Sequence, residues 1–492
     1  MIINSRTLNA GASLEYDLCI VGSGPAGITL ALELADSKKR ICILEAGDRK
    51  ASKTDLQEFF SGDNVGLPYK LTDCRSRQFG GTSAQWAGYI AMMDPADFEE
   101  NPVIPRIGWP ISFASLLPYY RRAFRQLGGG AFEFDPDRLS GPQHERIRFK
   151  ADEVTSKIWH FNIVNFAEKY EKFLDRSKSI DVYLNATVTR INLDRGSGRV
   201  TSLTATTSAR AAFTVKAKTV VLACGGMENA RILLAQRPGS GPAFANDHIG
   251  RHFMEHPHYF HCASLLLFGR QAESGLYHLP EADELVGKTS LCAFFQVGAP
   301  IRKKLGWPNA VFRVQKAPTG IKLSKRISML LHGLYQGEEA MERLSRIVIM
   351  AEQFPNPDSR ISLSDKRDAY GTPKIRLNWQ LTAAEIQKAS RSTRFLGMKL
   401  GQNGLGRLQV EEWMATGNVT GHVNYGWHHM GTTRMALAAK DGVVDANGKM
   451  FGLDNLYIAG SSIFPTSGCA NPTFTLMATT IRLADHLKPQ LV

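Results

Sequence analysis

The feature that most constrains the fold is a glycine-rich turn between two apolar segments near the N-terminus. Residues 16–21 (YDLCIV) have the composition of a buried strand, and the turn Gly22-Ser23-Gly24-Pro25-Ala26-Gly27 follows directly. A helix is predicted from Pro25 to Ala35, and a second strand covers residues 40–44 before Glu45. A strand, glycine turn, helix and strand in this order predict a βαβ unit that binds a dinucleotide.

Each glycine of this turn has its own physical role. Gly22 permits the tight turn, Gly24 lets the backbone approach a pyrophosphate, and Gly27 lets the helix pack closely on the strand. Glu45 stands at the right distance along the chain to accept hydrogen bonds from a ribose. A glycine turn without a ligand is the alternative, and the flanking strands and the acid argue against it. The unit alone does not separate FAD from NAD.

Length and composition indicate an ordinary globular protein. The 492 residues exceed one simple core and predict two domains, while 43% hydrophobic and 21% charged residues exclude a disordered or fibrous chain. No apolar run approaches the ~20 residues of a membrane span. The N-terminus lacks an apolar secretory segment, so the predicted location is the cytoplasm. The net charge of +13 is spread along the chain, and nothing resembles a nucleic-acid-binding module.

The cysteines and the densest basic cluster have simple interpretations. The seven cysteines form no C-x-x-C pair and several lie in apolar strands, so buried reduced thiols and no metal site are predicted. The basic cluster occupies residues 302–326 and begins at Arg302-Lys303-Lys304. A solvated surface of an inserted loop is favoured over a patch for an anionic partner, a redox protein or an acidic membrane surface.

The pattern of elements changes along the chain. Helices are predicted from near Ser112 and over residues 166–177, and a buried strand at 216–222 runs into a glycine turn. Residues 257–415 instead show short alternating segments typical of an antiparallel sheet. The C-terminal residues return to a strand at 455–459 and a helix at 473–487. A second glycine-rich turn at 79–89 suits an extended ligand, which favours FAD.

The last seventy residues supply chemistry. Residues 427–435 (WHHMGTTRM) contain two histidines in a Gly/Thr-rich turn, and Asn471 follows about forty residues later. A histidine and an asparagine suit a base and its polar partner. From these residues alone, a core histidine and a turn-forming asparagine before Pro472 are the simpler interpretation.

Six blocks together resemble the glucose–methanol–choline (GMC) oxidoreductases, and among them the bacterial sugar-oxidising branch that includes pyranose-oxidase-like and glycoside 3-oxidase-like members. The blocks cover 22–27, 80–83 (GGTS), 250–257 (GRHFMEHP), 352–360 (EQFPNPDSR), 428–435 and 464–473 (FPTSGCANPT). The resemblance spans nearly the whole chain. It implies an α/β fold: a Rossmann-like FAD-binding domain assembled from discontinuous segments, and an antiparallel-sheet (α+β) substrate-binding domain. The predicted boundaries are 12–125, 180–256 and 416–492 for the first domain, and 126–179 and 257–415 for the second.

The resemblance also assigns roles to residues. The family's catalytic histidine matches His428, not His429, and its partner position matches Asn471. His428 would take the hydroxyl proton while the substrate carbon delivers hydride to flavin N5, and Asn471 would orient the substrate oxygen. His429 is expected to pack or to contact the flavin region. The implied FAD-binding positions are Gly22, Gly24, Ala26, Gly27, Glu45, Gly80, Gly81, Ser83, Val188, Ala223, Gly460, Ser461, Pro472 and Thr473.

The predicted reaction is oxidation of a sugar or glycoside at a secondary ring hydroxyl, C3 or C2, to a ketone, with C3 of a glycoside the narrower expectation. Oxidation of another polyol or alcohol and a non-redox flavoprotein lyase are the alternatives. The electron acceptor is oxygen or an external acceptor, and the oligomeric state is left open. Some sugar-oxidising members attach FAD through a histidine where this chain has Gln85, so non-covalent FAD is expected. Trp307, Tyr335 and Trp413 are candidates for stacking on sugar, although such aromatics are more often core.

Overall fold

The computed structural model describes residues 1–100, 103–104, 107–141, 145–194, 198–236, 241–268, 275–277, 290–317 and 344–491. In these ranges the strands are β1 (Ile2–Asn4), β2 (Ser13–Val21), β3 (Ile41–Leu44), β4 (Asp63–Asn64), β5 (Tyr89–Ile90), β6 (Val154–Phe161), β7 (Ile180–Leu184), β8 (Ala186–Leu193), β9 (Val200–Thr207), β10 (Ala212–Leu222), β11 (Pro257–Leu267), β12 (Ser290–Val297), β13 (Ala310–Lys316), β14 (Leu344–Ala351), β15 (Arg360–Arg367), β16 (Pro373–Asn378), β17 (Gly406–Val410), β18 (Val423–Tyr425) and β19 (Leu456–Ile458). The α-helices are α1 (Pro25–Leu34), α2 (Lys53–Phe60), α3 (Phe113–Gln126), α4 (Phe166–Arg176), α5 (Gly225–Ala235), α6 (Ala299–Leu305), α7 (Ala383–Gln402), α8 (Glu412–Thr416) and α9 (Pro472–Leu487).

The first sheet has the order β1-β7-β3-β2-β10-β9-β8, and β19 also pairs with β10. Strands β1, β7, β3, β2, β10 and β19 are parallel, whereas β9 and β8 continue antiparallel. The apolar stretch of β2 is buried because α1 and other elements cover the sheet, and Leu18 and Ile20 are fully inaccessible. The predicted Rossmann-like parallel sheet is confirmed.

The second sheet is antiparallel throughout and has the order β17-β11-β14-β13-β12-β6-β5, with β18 beside β11. Alternate residues of its strands enter different cores. Phe294 packs in the core shared with the first sheet, whereas Phe295 packs in a separate core beneath α7. One face of this sheet is therefore turned toward the first sheet, and the predicted antiparallel substrate-domain sheet is confirmed.

A small third sheet, β15-β16-β4, completes the fold. The domain boundaries remain a prediction. Strand pairing joins β1 to the first sheet through β7, and it joins β5 and β18 to the second sheet.

Other expectations are met in part. The helix predicted from near Ser112 is α3, whose first turn is capped by the Ser112 hydroxyl. All seven cysteines lie in the described residues and are free thiols, six of them buried. The solvated surface expected for the basic cluster is wrong for Arg302, which is buried and pairs with Asp94 at 3.1 Å. Residues 318–326 of the cluster lie outside the described residues. Among the described helices, none combines the length and apolar character needed to cross a bilayer.

Candidate active site

A deep cavity lies between the first sheet and the facing side of the second sheet. His428 and Asn471 both lie on its wall, as do most of the positions predicted to bind FAD. Two of those positions do not line it: Gly27 packs α1 onto β2, and Gly80 packs against Ala167. The predicted positions on the wall are Gly22, Gly24, Ala26, Glu45, Gly81, Ser83, Val188, Ala223, Gly460, Ser461, Pro472 and Thr473.

The glycine turn at one end of the cavity has the geometry of a phosphate-binding turn. Gly22 has φ +103°, and a Cβ on Gly27 would lie 1.9 Å from the Gly22 carbonyl oxygen. A Cβ on Gly24 would meet nothing within 4 Å, so the backbone there faces open space. No side chain caps the first turn of α1, which leaves its amide N–H groups for an anion. These features fit the pyrophosphate of a dinucleotide.

Glu45 is held in place at the end of β3. Its carboxylate accepts hydrogen bonds from the Ser23 amide (3.0 Å), the Ser23 hydroxyl (2.7 Å) and the Gly47 amide (2.7 Å). The side chain is buried and lines the cavity. Because each carboxylate oxygen has more than one lone pair, Glu45 retains acceptor capacity toward a ribose hydroxyl.

At the other end of the cavity, His428 and Asn471 are in direct contact. Asn471 Nδ2 lies 3.0 Å from His428 Nε2, and Asn471 Oδ1 lies 3.1 Å from Trp159 Nε1. An indole N–H only donates, so the amide oxygen must face Trp159 and the amide nitrogen must face His428. Asn471 therefore donates to His428 Nε2, which requires a lone pair on that nitrogen.

A second chain of hydrogen bonds leads to the same tautomer. His256 Nε2 lies 3.2 Å from the Ser467 carbonyl oxygen, which only accepts, so this nitrogen carries a proton. Burial lowers the pKa of His256 to about 4, so the ring is neutral and its Nδ1 is an acceptor. His428 Nδ1 is 2.9 Å from that atom and must donate to it. Both arguments place the proton of His428 on Nδ1 and leave Nε2 unprotonated, so it can act as a base once a substrate hydroxyl replaces Asn471 as its hydrogen-bond donor.

The protonation state of His428 suits a base. Burial, reinforced by the nearby His256 and His258, lowers the pKa of His428 well below its usual 6.5. The imidazole is therefore neutral at physiological pH, and its Nε2 carries a lone pair that can accept a proton.

Glu255 holds the backbone on both sides of Trp427. Its carboxylate accepts from the amides of Gly426 (3.1 Å) and His428 (2.7 Å). Trp427 between them has φ +61°, a left-handed conformation that is unfavourable for a tryptophan. These two bonds stabilise the strained turn and so position the His428 ring.

A hydrogen-bond chain connects this carboxylate to the second histidine. Tyr69 Oη lies 2.5 Å from Glu255 Oε1 and 2.8 Å from His429 Nε2. Burial raises the pKa of Glu255 to about 7 and lowers that of His429 to about 3. His429 is buried and lines the cavity, but its ring nitrogen contacts Tyr69 rather than Asn471.

Several residues of the site were not predicted from the sequence. Glu255 and His256 lie in the 250–257 block, but the sequence assigned them no role. Tyr69 and Trp159 reach the site only through tertiary packing. The aromatic candidates for sugar stacking are elsewhere: Trp307 packs on Phe395, and Trp413 stacks on His422 at 4.4 Å. Tyr335 lies outside the described residues. The aromatic side chains on the cavity wall include Trp86, Tyr89, Phe260 and Trp427.

Replacing His256 tests the tautomer assignment. We expect His256→Leu to slow substrate reduction of the flavin about 10- to 100-fold, because His428 loses the acceptor that fixes its proton on Nδ1. In His256→Asn an amide oxygen can replace Nδ1, so most of the rate should return while substrate affinity stays similar in both variants. Stopped-flow flavin absorbance measures both quantities. Equal rates in the leucine and asparagine variants would contradict the assignment.

Comparisons with known proteins bear on the family of the chain. Residues 355–480 match the GMC oxidoreductase family model and residues 17–292 match that of FAD dependent oxidoreductases. The chain is 24% identical to 2-methyl-1,2-propanediol dehydrogenase of Mycolicibacterium austroafricanum over 96% of this chain and 95% of that protein. It is 30% identical to C-glycoside 3-oxidase of Microbacterium trichothecenolyticum, but over only 27% of this chain and 25% of that one.

The fold is also similar to solved structures. A formate oxidase variant of Aspergillus oryzae RIB40 superposes with a TM-score of 0.61 and 17% identity, covering 98% of this chain and 99% of that one. The family models and the fold agree over both parts of the molecule. The chain belongs to the GMC-type FAD-dependent oxidoreductases, which act on CH–OH groups.

Proposed function

We propose that this protein oxidises a secondary ring hydroxyl of a sugar or glycoside, at C3 or C2, to a ketone. The observation that carries the proposal is the convergence of the unprotonated His428 Nε2 and the Asn471 amide, 3.0 Å apart, on the wall of the cavity. The similarity to C-glycoside 3-oxidase and the aromatic wall around Tyr89 and Phe260 support a sugar ring as substrate. C3 of a glycoside is the narrower expectation.

Two helix N-termini without a side-chain cap face the cavity and could bind FAD. The amides at the start of α1 suit the pyrophosphate, and Glu45 suits a ribose. The first turn of α9 also has no side-chain cap, and Pro472 and Thr473 at its start line the cavity. Its amides suit electronegative atoms of a flavin ring. Bound FAD supplies the acceptor for the hydride.

Residues of this chain accept the proton of the substrate hydroxyl and stabilise the charge that its loss leaves on oxygen. A substrate hydroxyl that reaches both side chains replaces the hydrogen bond between Asn471 Nδ2 and His428 Nε2: it donates its proton to the imidazole and accepts a hydrogen bond from the amide. As the hydroxyl proton leaves, the Asn471 dipole stabilises the negative charge that develops on oxygen. The imidazolium that forms keeps its Nδ1–H bond to His256, whose Nε2 is anchored on the Ser467 carbonyl.

Anaerobic bleaching of the flavin tests the proposal. The purified yellow protein is mixed with a panel of sugars, alkyl and aryl glycosides, linear polyols and simple alcohols, and the visible absorbance is followed without oxygen. Bleaching with glycosides at least tenfold faster than with polyols is the expected result. Bleaching confined to polyols or simple alcohols would contradict the sugar substrate. A flavin that no alcohol bleaches would instead favour a non-redox lyase.

We propose that the FAD is held without a covalent bond. Gln85 is exposed on the cavity rim and its carboxamide is not nucleophilic, so it cannot form the bond that a histidine forms there in some family members. Acid precipitation of the protein is expected to release all the yellow colour into the supernatant. A yellow pellet that resists denaturant would contradict the proposal.

The lowered pKa of His428 predicts how the rate depends on pH. A base is lost as pH falls through its own pKa, so a histidine with an ordinary value would lose rate tenfold per unit below about 6.5. Because burial depresses the pKa of His428, we expect no such loss between about pH 8 and about pH 6. Glu255, with a pKa of about 7, is the neighbour that titrates in this range, so the profile of Glu255→Gln separates its contribution. A tenfold loss per unit in both proteins would contradict the prediction.

A further inference from the structure

Arg313 is a buried cation on the cavity wall that the proposed chemistry does not use. It lies on β13, its side chain is 8% exposed, and it lines the cavity. One guanidinium nitrogen donates to the Tyr89 hydroxyl at 3.3 Å, and the group lies over the rings of Tyr89 and Phe294. Its Nε is buried and has no hydrogen-bond partner. In the part of the chain that the structure describes, no carboxylate lies within ion-pair distance of it.

Other buried arginines of this protein are paired with acids. Arg75 pairs with Glu228, and Arg346 pairs with Glu411. Arg231 and Arg302 pair with Asp368 and Asp94. Arg434 also shows no ion pair in the described residues, but it does not line the cavity and donates to the Asp441 carbonyl. Among these buried arginines, Arg313 is therefore distinguished by lining the cavity without a carboxylate partner in the described residues.

His258 supplies a second unpaired polar atom on the same wall. Its Nε2 is buried without a hydrogen-bond partner, and its ring lies 6.2 Å from the His428 ring. Arg313 and His258 line the same cavity. Burial, together with the charge of Arg313, lowers the pKa of His258 to about 3, so its imidazole is neutral.

The position of this pair favours the substrate over the phosphates of FAD. Arg313 and His258 project from the second sheet, and His258 is beside the catalytic histidine. The phosphate-binding glycine turn instead lies on the first sheet at the start of α1.

A carboxylate satisfies these atoms better than a neutral hydroxyl does. A buried guanidinium without a counter-ion is unfavourable, and the two aromatic rings compensate for only part of the lost hydration. The planar fork of an arginine matches the two oxygens of a carboxylate, and only an anion neutralises its charge. The net charge of +13 also attracts anionic substrates at long range.

We propose that Arg313 and His258 form a subsite for a carboxylate, so that the alcohol oxidised at His428 belongs to a sugar acid or to a glycoside of a uronic acid. This proposal rests on the proposed oxidation of a sugar or glycoside. Arg313 would bind the carboxylate, and His258 would bind an adjacent hydroxyl or the second carboxylate oxygen. The same charge would reject cationic amino sugars.

A matched pair of substrates tests the subsite. Methyl β-D-glucopyranoside and methyl β-D-glucopyranosiduronic acid differ only in replacing a hydroxymethyl group by a carboxylate. With the wild-type holoenzyme we expect the uronide to reach half-maximal bleaching at a concentration about 10- to 100-fold lower. Arg313→Gln should remove this preference while leaving the neutral glycoside and the limiting rate within a few-fold. Arg313→Lys keeps the charge but lacks the planar guanidinium, so its preference for the uronide should lie between those of the wild type and Arg313→Gln. Arg407→Gln changes an exposed arginine on β17 and controls for the loss of one positive charge.

A binding measurement separates this proposal from the proposed oxidation. The uronide should raise the melting temperature of the oxidised wild-type holoenzyme and not that of Arg313→Gln, whether or not turnover occurs. Uronide-dependent stabilisation without bleaching would uphold the subsite and overturn the oxidation. Bleaching by the neutral glycoside with no advantage for the uronide, or an advantage that survives in Arg313→Gln, would overturn the subsite.

Discussion

The variant His428→Ala is expected to bleach its flavin on the order of 10³-fold more slowly than the wild-type protein while it retains bound FAD. The reason is that, among the described residues, His428 Nε2 is the atom hydrogen-bonded to Asn471 that can take a proton, and alanine removes this base. Stopped-flow absorbance under anaerobic conditions gives the rate constant, and the visible spectrum gives the FAD content.

Two further histidine variants make this result specific. His422→Ala changes an exposed histidine of the same segment that stacks on Trp413, and it should bleach at the wild-type rate. His429→Ala should cost much less than His428→Ala because His429 bonds to Tyr69. A larger loss in His429→Ala, or fast bleaching in His428→Ala, would overturn the choice of base.

The second large effect concerns two glycines of the same turn. Gly27→Ala would place a Cβ 1.9 Å from the Gly22 carbonyl oxygen, so α1 must move away from β2. We expect a destabilisation of at least ~1–3 kcal/mol and little retained flavin. Gly24→Ala places its Cβ in open space at φ −70°, so the fold should keep its stability while FAD affinity falls, because the methyl group occupies space meant for the ligand.

The two variants are separated by measuring melting temperature and flavin content together. Gly27→Ala should lose both, whereas Gly24→Ala should lose flavin while the apoprotein melts as the wild-type apoprotein does. Gly130→Ala, at an exposed glycine with nothing near its Cβ, serves as the control. Full flavin content in Gly24→Ala would contradict the phosphate-binding role of the turn.

Local sequence patterns predicted the parts of the fold that depend on local chemistry. The βαβ unit follows from an apolar strand, a turn that only glycines can form and a second strand, all within about thirty residues of one another. The antiparallel second sheet follows from short alternating segments. The predicted starts of α3 and α9 agree with the structure to within one residue, because Ser112 and Pro472 are typical residues at helix N-termini.

The residues that surround the predicted base were beyond the reach of such patterns. Trp159 and Asn471 are separated by 312 residues, and Tyr69 and Glu255 by 186. Each pair meets only in the folded chain, and nothing in the local sequence around either residue marks it as the partner of the other. The tautomer of His428 depends on these distant partners, so it becomes accessible only with the three-dimensional structure.

Residue type without geometry left the placement of several side chains open. Trp307 and Trp413 pack on Phe395 and His422, the core role that was the more frequent alternative to stacking on a sugar. Arg302 stands in a basic run, yet it is buried because its guanidinium pairs with Asp94. Composition along the chain does not show which side of an element faces solvent.

The most direct test of the central claim is the isotope dependence of flavin bleaching. The glycoside of the panel that bleaches fastest is prepared with deuterium at C2 or at C3 and mixed anaerobically with the wild-type protein and with His428→Ala. We predict that deuterium at C3 slows bleaching in the wild-type protein, that deuterium at C2 does not, and that His428→Ala scarcely bleaches with either. Bleaching with the same rate for both positions, or unchanged in His428→Ala, would contradict hydride removal from a ring carbon whose hydroxyl proton goes to His428.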